Sequence, residues 1–161
     1  NGPKILEYNA RFGDPETQTY MRLLDTDILD IIDASIDGKL DELNIKWKNN
    51  LYACNIVLSS GGYPGNYEKG KMISGVEFLP LLISSPHPNP LLVKERGNDI
   101  VIFHAGTKKE NGKLFTNGGR VLVVSATGKT LKEALKKAYN AIKEIHFEGI
   151  QYRRDIGKSA L

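Results

Sequence analysis

"GRVLVVSATGKTLKEALKKAYNAIKEI", residues 119–145, sets two unlike elements side by side. The Val-rich run "GRVLVVSATG" is bounded by glycines and predicts a strand. The residues after it predict a helix: Thr130 and Glu133 form a capping box. Leu131, Ala134, Leu135, Ala138, Ile142 and Ile145 then fall on one apolar face. A strand running straight into an amphipathic helix frames this half of the chain.

The stretches around it are β-rich. "YACNIVLSS" (52–60) reads as a buried strand that ends in the turn-prone "GGYPGNYEKG" (61–70). Short strands are expected around "KMISGV", "DIVIFHAGT" and "KLFTNG", and "KKENGK" is a hairpin signal with Asn111-Gly112 at the turn. "FEGIQYRRDIG" (147–157) reads as a last strand and turn. Residues 78–99, "FLPLLISSPHPNPLLVKERGND", fit none of this. Pro86, Pro88 and Pro90 exclude a helix interior or a central strand, so an exposed loop is expected.

Towards the start the pattern is different. "PKILEYNARF" alternates like a strand, with Leu6, Tyr8, Ala10 and Phe12 on one side and Ile5, Glu7, Asn9 and Arg11 on the other. Asp14-Pro15 predicts a helix start, with Asp14 as N-cap, Pro15 at the first helical position, and Met21, Leu23 and Leu24 facing inward. "DTDILDIIDASIDGKL" (25–40) predicts a second helix, capped by Thr26 or Asp27 and ended by Gly38. Its inward stripe is Leu29, Ile32 and Ile36. "DELNIKWKNN" (41–50) reads as a linker with a boundary at 45–50, giving two units, 1–48 and 49–161. The fold class is α+β.

Composition narrows the function classes. With 40% hydrophobic and 25% charged residues, the 161-residue chain has the make-up of a soluble globular protein. A net charge of +3, scattered along the chain, gives no support for nucleic-acid binding. No apolar run approaches the roughly 20 residues of a membrane span, and the start shows no signal-peptide pattern. Cys54, the one cysteine, has no disulfide partner and reads as a buried thiol in a reducing, cytoplasmic compartment. His87, His104 and His146 lack metal-ligand spacing, which argues against zinc.

The chemistry is concentrated near the start. Glu7 and Asn9 project oxygen ligands from one strand face, about 6.5–7 Å apart by strand rise. A carboxylate and an amide carbonyl form a hard-oxygen pair suited to Mg²⁺, with substrate phosphates completing the shell. Arg11 on the same face suits a carboxylate or phosphate, and the helix start beyond it offers N–H groups to an anion. A solvated strand face before a capped helix is the bland alternative, and spacing by itself favours it.

"GPKILEYNARFGDPETQ" resembles the signature of the phosphoribosylamine–glycine ligases, the glycinamide ribonucleotide synthetases of the ATP-grasp class. "GGYPGNYEKG", "VIFHAGTKKENGKLFTNGGRVLVVSATG" and "AYNAIKEIHFEGIQYRRDIG" follow in that family's order. The resemblance implies an edge strand and helices of an ATP-grasp domain over 1–48. It places a small β-rich C-terminal domain with one packed helix, half-barrel and single-hybrid-like, over 49–161. It implies ligation of glycine to 5-phosphoribosylamine at the expense of ATP, through a glycyl phosphate, yielding glycinamide ribonucleotide, ADP and phosphate. Glu7 and Asn9 match the family's Mg²⁺ or Mn²⁺ ligands, and Arg11 matches the arginine beside the transferring phosphate and the glycine carboxylate. Gly13, Asp14, Pro15 and Glu16 match the turn facing phosphoribosylamine, with Asp14 or Glu16 holding its amine or ribose hydroxyls.

The resemblance also implies an upstream α/β domain and most of the ATP-grasp domain, including the adenine pocket. Asn1-Gly2, a hairpin signal with no strand before it, agrees with that. The expectation is a C-terminal portion, inactive by itself and dependent on the N-terminal part of the same enzyme. Family members join "ISG" to "FHAGT" by a short connection, so 84–97 reads as an insertion. His104 and Arg120 face either a substrate cleft or the structural core, and Arg153–Asp155 is expected to be a structural ion pair. The runner-up is a non-catalytic binding or carrier module, with Lys71 of "EKGKMISG" as the modified lysine; a regulatory subunit that has lost its chemistry is a third reading.

Overall fold

The computed structural model describes residues 2–76, 81–82 and 99–161. Its architecture follows from one strand buried on both faces. In chain order the elements are α1 (Glu16–Leu23), α2 (Ile28–Ile36), a 3₁₀ turn (Leu40–Glu42), β1 (Tyr52–Ser59), β2 (Met72–Ile73) and β3 (Leu81–Leu82). They continue with β4 (Ile100–His104), β5 (Thr107–Glu110), β6 (Lys113–Thr116), β7 (Arg120–Gly128), α3 (Leu131–Ile142) and a closing 3₁₀ turn (Lys158–Ala160). The main sheet has the order β1-β7-β4-β3, and a second sheet has the order β2-β6-β5. All pairings are antiparallel except β3 with β4.

β7 lies between β1 and β4, and residues Val121 to Gly128 are all buried. A strand covered on both faces reads as a continuous apolar run, which accounts for "VLVV". β1 alternates instead: Cys54, Ile56 and Leu58 are buried while Ala53, Asn55 and Val57 are half-buried. Cys54, Ile56 and Leu58 face Ala126, Val124 and Leu122 in register, and these join Ala134, Leu135, Ala138 and Ile142 of α3 in one core. The opposite face, carrying Asn55 and Thr127, meets α1.

α3 forms for the reasons its sequence predicts. Thr130 Oγ1 accepts from the Glu133 N–H at 3.1 Å. The Glu133 carboxylate reaches back one residue further than a capping box requires, to the Lys129 N–H at 2.8 Å. Ala134, Leu135, Ala138, Ile142 and Ile145 are buried and Leu131 packs at the edge, as expected; Ala141 joins them. The β5–β6 hairpin also forms at Asn111-Gly112, where φ is +49° and +77°, the left-handed pair a two-residue turn requires.

Four expectations need correction. Residues 2–12 form no strand, and the presumed apolar face is exposed, with Leu6 at 97% and Tyr8 at 86%. Alternation marks a face, but a strand also needs a hydrogen-bonded neighbour, and none among the described residues supplies one. Asp14 does not cap α1: the N-cap is Pro15, with no side-chain cap. α2 is capped by Asp27, which accepts from the Leu29 N–H at 2.9 Å, yet Leu29, Ile32 and Ile36 stay exposed and no residue of the helix is buried. "FEGIQYRRDIG" contributes a single bridge, Gln151 to Ser59, in place of a strand.

"DELNIKWKNN" does more than link. Trp47 bridges to Leu24, and the Lys48 N–H donates to Leu23 O at 2.8 Å, so the segment folds back on the end of α1. Thr26 holds this return by accepting from the Lys46 N–H at 2.7 Å. Met21, Leu23 and Leu24 are half-buried, close to expectation. The expected insertion at 84–97 and the Asn1 half of the hairpin signal lie outside the described residues. Among the described residues no helix is long and apolar enough to cross a membrane.

Ile56→Ala, which empties a fully buried site, is expected to cost about 2–5 kcal/mol in denaturant unfolding. Thr130→Ala should cost only about 1 kcal/mol by removing the α3 cap.

Candidate functional site

The stretch Glu7–Glu16 lies along the surface and is tied to the sheet at Asp14 and Pro15. Asn9 Nδ2 donates to Glu7 Oε1 at 2.9 Å, so the two side chains meet although the expected strand face does not form. Arg11 donates from Nη1 to Phe12 O at 3.0 Å and is otherwise exposed. The Gly13–Glu16 turn is compact. Thr17 N–H and Oγ1 both reach Gly13 O, at 3.0 and 2.5 Å, and the Glu16 carboxylate lies over the Gly13 Cα, where any Cβ would overlap it.

Two residues from the sheet reach this turn. Arg120, at the start of β7, donates from Nη2 to Asp14 Oδ2 at 2.8 Å and from Nη1 to Asp14 O at 2.7 Å. Asn55, in the middle of β1, donates from Nδ2 to Pro15 O at 2.7 Å. The sequence singles out both Arg120 and Asp14, but not their pairing across 106 residues. Asn55 was missed; its signal was a lone amide inside the apolar run "YACNIVL".

Arg120 owes its position to a break in register. Leu58 pairs with Leu122 but Ser59 pairs with Arg120, so Val121 is passed over. Val121 and Leu122, although adjacent, both enter the α3-side core. The bulge thereby sends Arg120 to the α1 side, where Asp14 lies. The backbone just before it is held as well. Ser60 N–H donates to Gly119 O at 2.8 Å and Ser60 Oγ to Gly118 O at 2.9 Å, while the Tyr63 ring covers Gly119 so closely that a Cβ would collide with it. Tyr67 meets Tyr63 edge to face, at 6.2 Å between centroids. The "GGYPGNY" loop thus seats "NGGR".

The other candidates lie apart from this cluster. His104 Nδ1 sits 2.9 Å from Thr107 Oγ1, and partial burial lowers its pKa, so it is neutral at pH 7. Arg153 and Asp155 form the expected ion pair through two contacts, 2.9 and 2.7 Å. Their attraction raises the arginine pKa and lowers that of the aspartate. Lys71 is held between Glu68 at 2.8 Å and Glu148 at 3.0 Å, which raises its pKa and keeps it charged. It is not presented at a hairpin tip as a carrier lysine would be. Cys54 is buried, and loss of solvent pushes its thiol up to about 11.

The chain is similar to known proteins along nearly all of its length. The family model described as "Phosphoribosylglycinamide synthetase, C domain" matches residues 53–159. A phosphoribosylamine–glycine ligase of Caldanaerobacter subterraneus is 46% identical over 155 residues, covering 96% of this chain and 33% of the relative. One from Halalkalibacterium halodurans is 41% identical over 161 residues, covering 100% of this chain and 33% of the relative. The crystal structure of the Thermotoga maritima phosphoribosylamine–glycine ligase superposes with a TM-score of 0.65 at 37% identity, covering 95% of this chain and 33% of that one. The chain therefore spans about a third of the length of the relatives it matches.

Because its pKa is raised above the usual thiol range, Cys54 carries almost no thiolate at pH 8. Alkylation by iodoacetamide should be negligible in the folded chain and complete in denaturant.

Proposed function

Since this chain belongs to the phosphoribosylglycinamide synthetase family through its C domain, we propose that the complete protein is an ATP-dependent carbon–nitrogen ligase of purine biosynthesis. It joins glycine to 5-phosphoribosylamine, giving glycinamide ribonucleotide, ADP and phosphate. The observation that carries this reading is the match to a ligase over all 161 residues, the Glu7–Glu16 stretch included. In that reading residues 1–48 belong to an ATP-grasp domain, whose remainder holds the nucleotide.

The donor set at Glu7 and Asn9 fits Mg²⁺ or Mn²⁺. Turning the Asn9 amide over brings its Oδ1 beside the Glu7 carboxylate, two hard oxygens already adjacent. Among the described residues no group of three or more His, Cys, Asp and Glu is placed to hold a metal. Glu7 and Asn9 would hold such an ion together with phosphate oxygens and water. A bound ion would neutralise charge on the ATP phosphates. Arg11, exposed and two residues on from Asn9, orients the glycine carboxylate against the γ-phosphate.

The glycine carboxylate oxygen bonds to the γ-phosphorus as the bond to ADP breaks, giving glycyl phosphate. The amine of 5-phosphoribosylamine attacks the acyl carbon, phosphate leaves, and the amine loses a proton. No protein nucleophile is needed; positioning and charge compensation carry the rate. Gly13, Asp14, Pro15 and Glu16 face the amine substrate. Asp14 is committed to Arg120, which favours Glu16 as the carboxylate that meets the amine or ribose hydroxyls. The carrier alternative is disfavoured by the two carboxylates that hold Lys71.

In the full-length polypeptide, Glu7→Gln and Arg11→Ala should each lower ligation roughly a hundredfold or more, measured as ADP released in the presence of glycine and phosphoribosylamine. The isolated 161-residue chain, a third of its relatives' length, should release none. A full-length polypeptide whose ADP release is independent of glycine would refute the assignment.

A further inference from the structure

The Gly13–Glu16 turn is held by its backbone as well as by its side chains. Arg120 and Asn55 end on consecutive carbonyls, those of Asp14 and Pro15, at 2.7 Å each. They come from two neighbouring strands of the main sheet, β7 and β1. Both residues are unusual for their positions. Arg120 is sent to this face by the bulge at Leu58/Ser59 and seated by Ser60 and Tyr63. Asn55 donates to Pro15 while its own Oδ1 is buried with no partner among the described residues. An unsatisfied buried carbonyl is destabilising, and an apolar residue in the strand would avoid it. The geometry of the turn accounts for keeping an amide there.

We infer that Arg120 and Asn55 are positioning residues for the phosphoribosylamine step: the sheet of the C domain grips Asp14 and Pro15 and so fixes where Glu16 stands. This rests on the reading of Gly13–Glu16 given under Proposed function. Arg120 and Asn55 do not themselves touch substrate; they act through the turn. Their effect should therefore fall on one substrate of the three. Among the described residues no hydrogen bond or ion pair links them to Glu7 and Asn9, whose contact with each other is local.

The test uses the full-length polypeptide, with ATP, glycine and 5-phosphoribosylamine varied in turn. In Arg120→Ala and Asn55→Ala the KM for phosphoribosylamine should rise on the order of tenfold. The KM values for ATP and glycine should stay within about twofold of wild type. Arg120→Lys, which keeps the charge but loses the two-pronged grip, should recover part of the loss. Arg120→Lys and Asn55→Ser serve if the alanine variants do not fold. An active wild type whose phosphoribosylamine KM is unmoved by these changes, or whose three KM values move together, overturns this inference alone. A wild type that makes no glycinamide ribonucleotide overturns the ligase reading, and this inference with it.

Discussion

The burial of β7 on both faces is the constraint on which the rest of the structure depends. β7, paired with β1 on one edge and β4 on the other, buries every residue from Val121 to Gly128, so each face needs its own cover. α3 covers one face with alanine, leucine and isoleucine, following β7 after only Lys129 and Thr130. α1 covers the other at Asn55 and Thr127. The two faces are unlike in chemistry: the α3 side is apolar and holds the main core, and the α1 side carries Asn55 and Thr127 and holds the Gly13–Glu16 turn.

That division makes the bulge at Leu58/Ser59 more than an irregularity. Without it, strict alternation would place Arg120 on the same face as Leu122, inside the apolar core, where a guanidinium without partners is costly. With it, Val121 takes the core position and Arg120 reaches Asp14. The Asp14–Arg120 pair is partly exposed, so it adds little to stability. Its contribution is geometric, because the second guanidinium nitrogen also holds the Asp14 carbonyl.

Elements that stabilise themselves were legible. α3 has a cap, a clean period and a strand next to it to cover; the β5–β6 hairpin has the Asn111-Gly112 turn, whose backbone angles few other pairs adopt. Elements that need a distant partner were not. Residues 2–12 alternate like a strand, and α2 shows an apolar stripe, but periodicity names only the face to be covered. Among the described residues, 2–12 are exposed throughout, and Leu29, Ile32 and Ile36 of α2 remain exposed. Asp14 illustrates the same limit: Asp-Pro before a helix suggests a cap, and only the fold reveals that its carboxylate belongs to Arg120.

From residue types and order alone came the family, the β-rich half with its packed helix, and the expectation that Glu7, Asn9, Arg11 and the Gly13–Glu16 turn carry the chemistry. These are local patterns, written in consecutive residues. The tertiary structure decided which distant groups hold that stretch. Arg120 and Asn55 lie 106 and 40 residues from their partners, and the register shift that aims Arg120 is a property of strand pairing that no single strand carries.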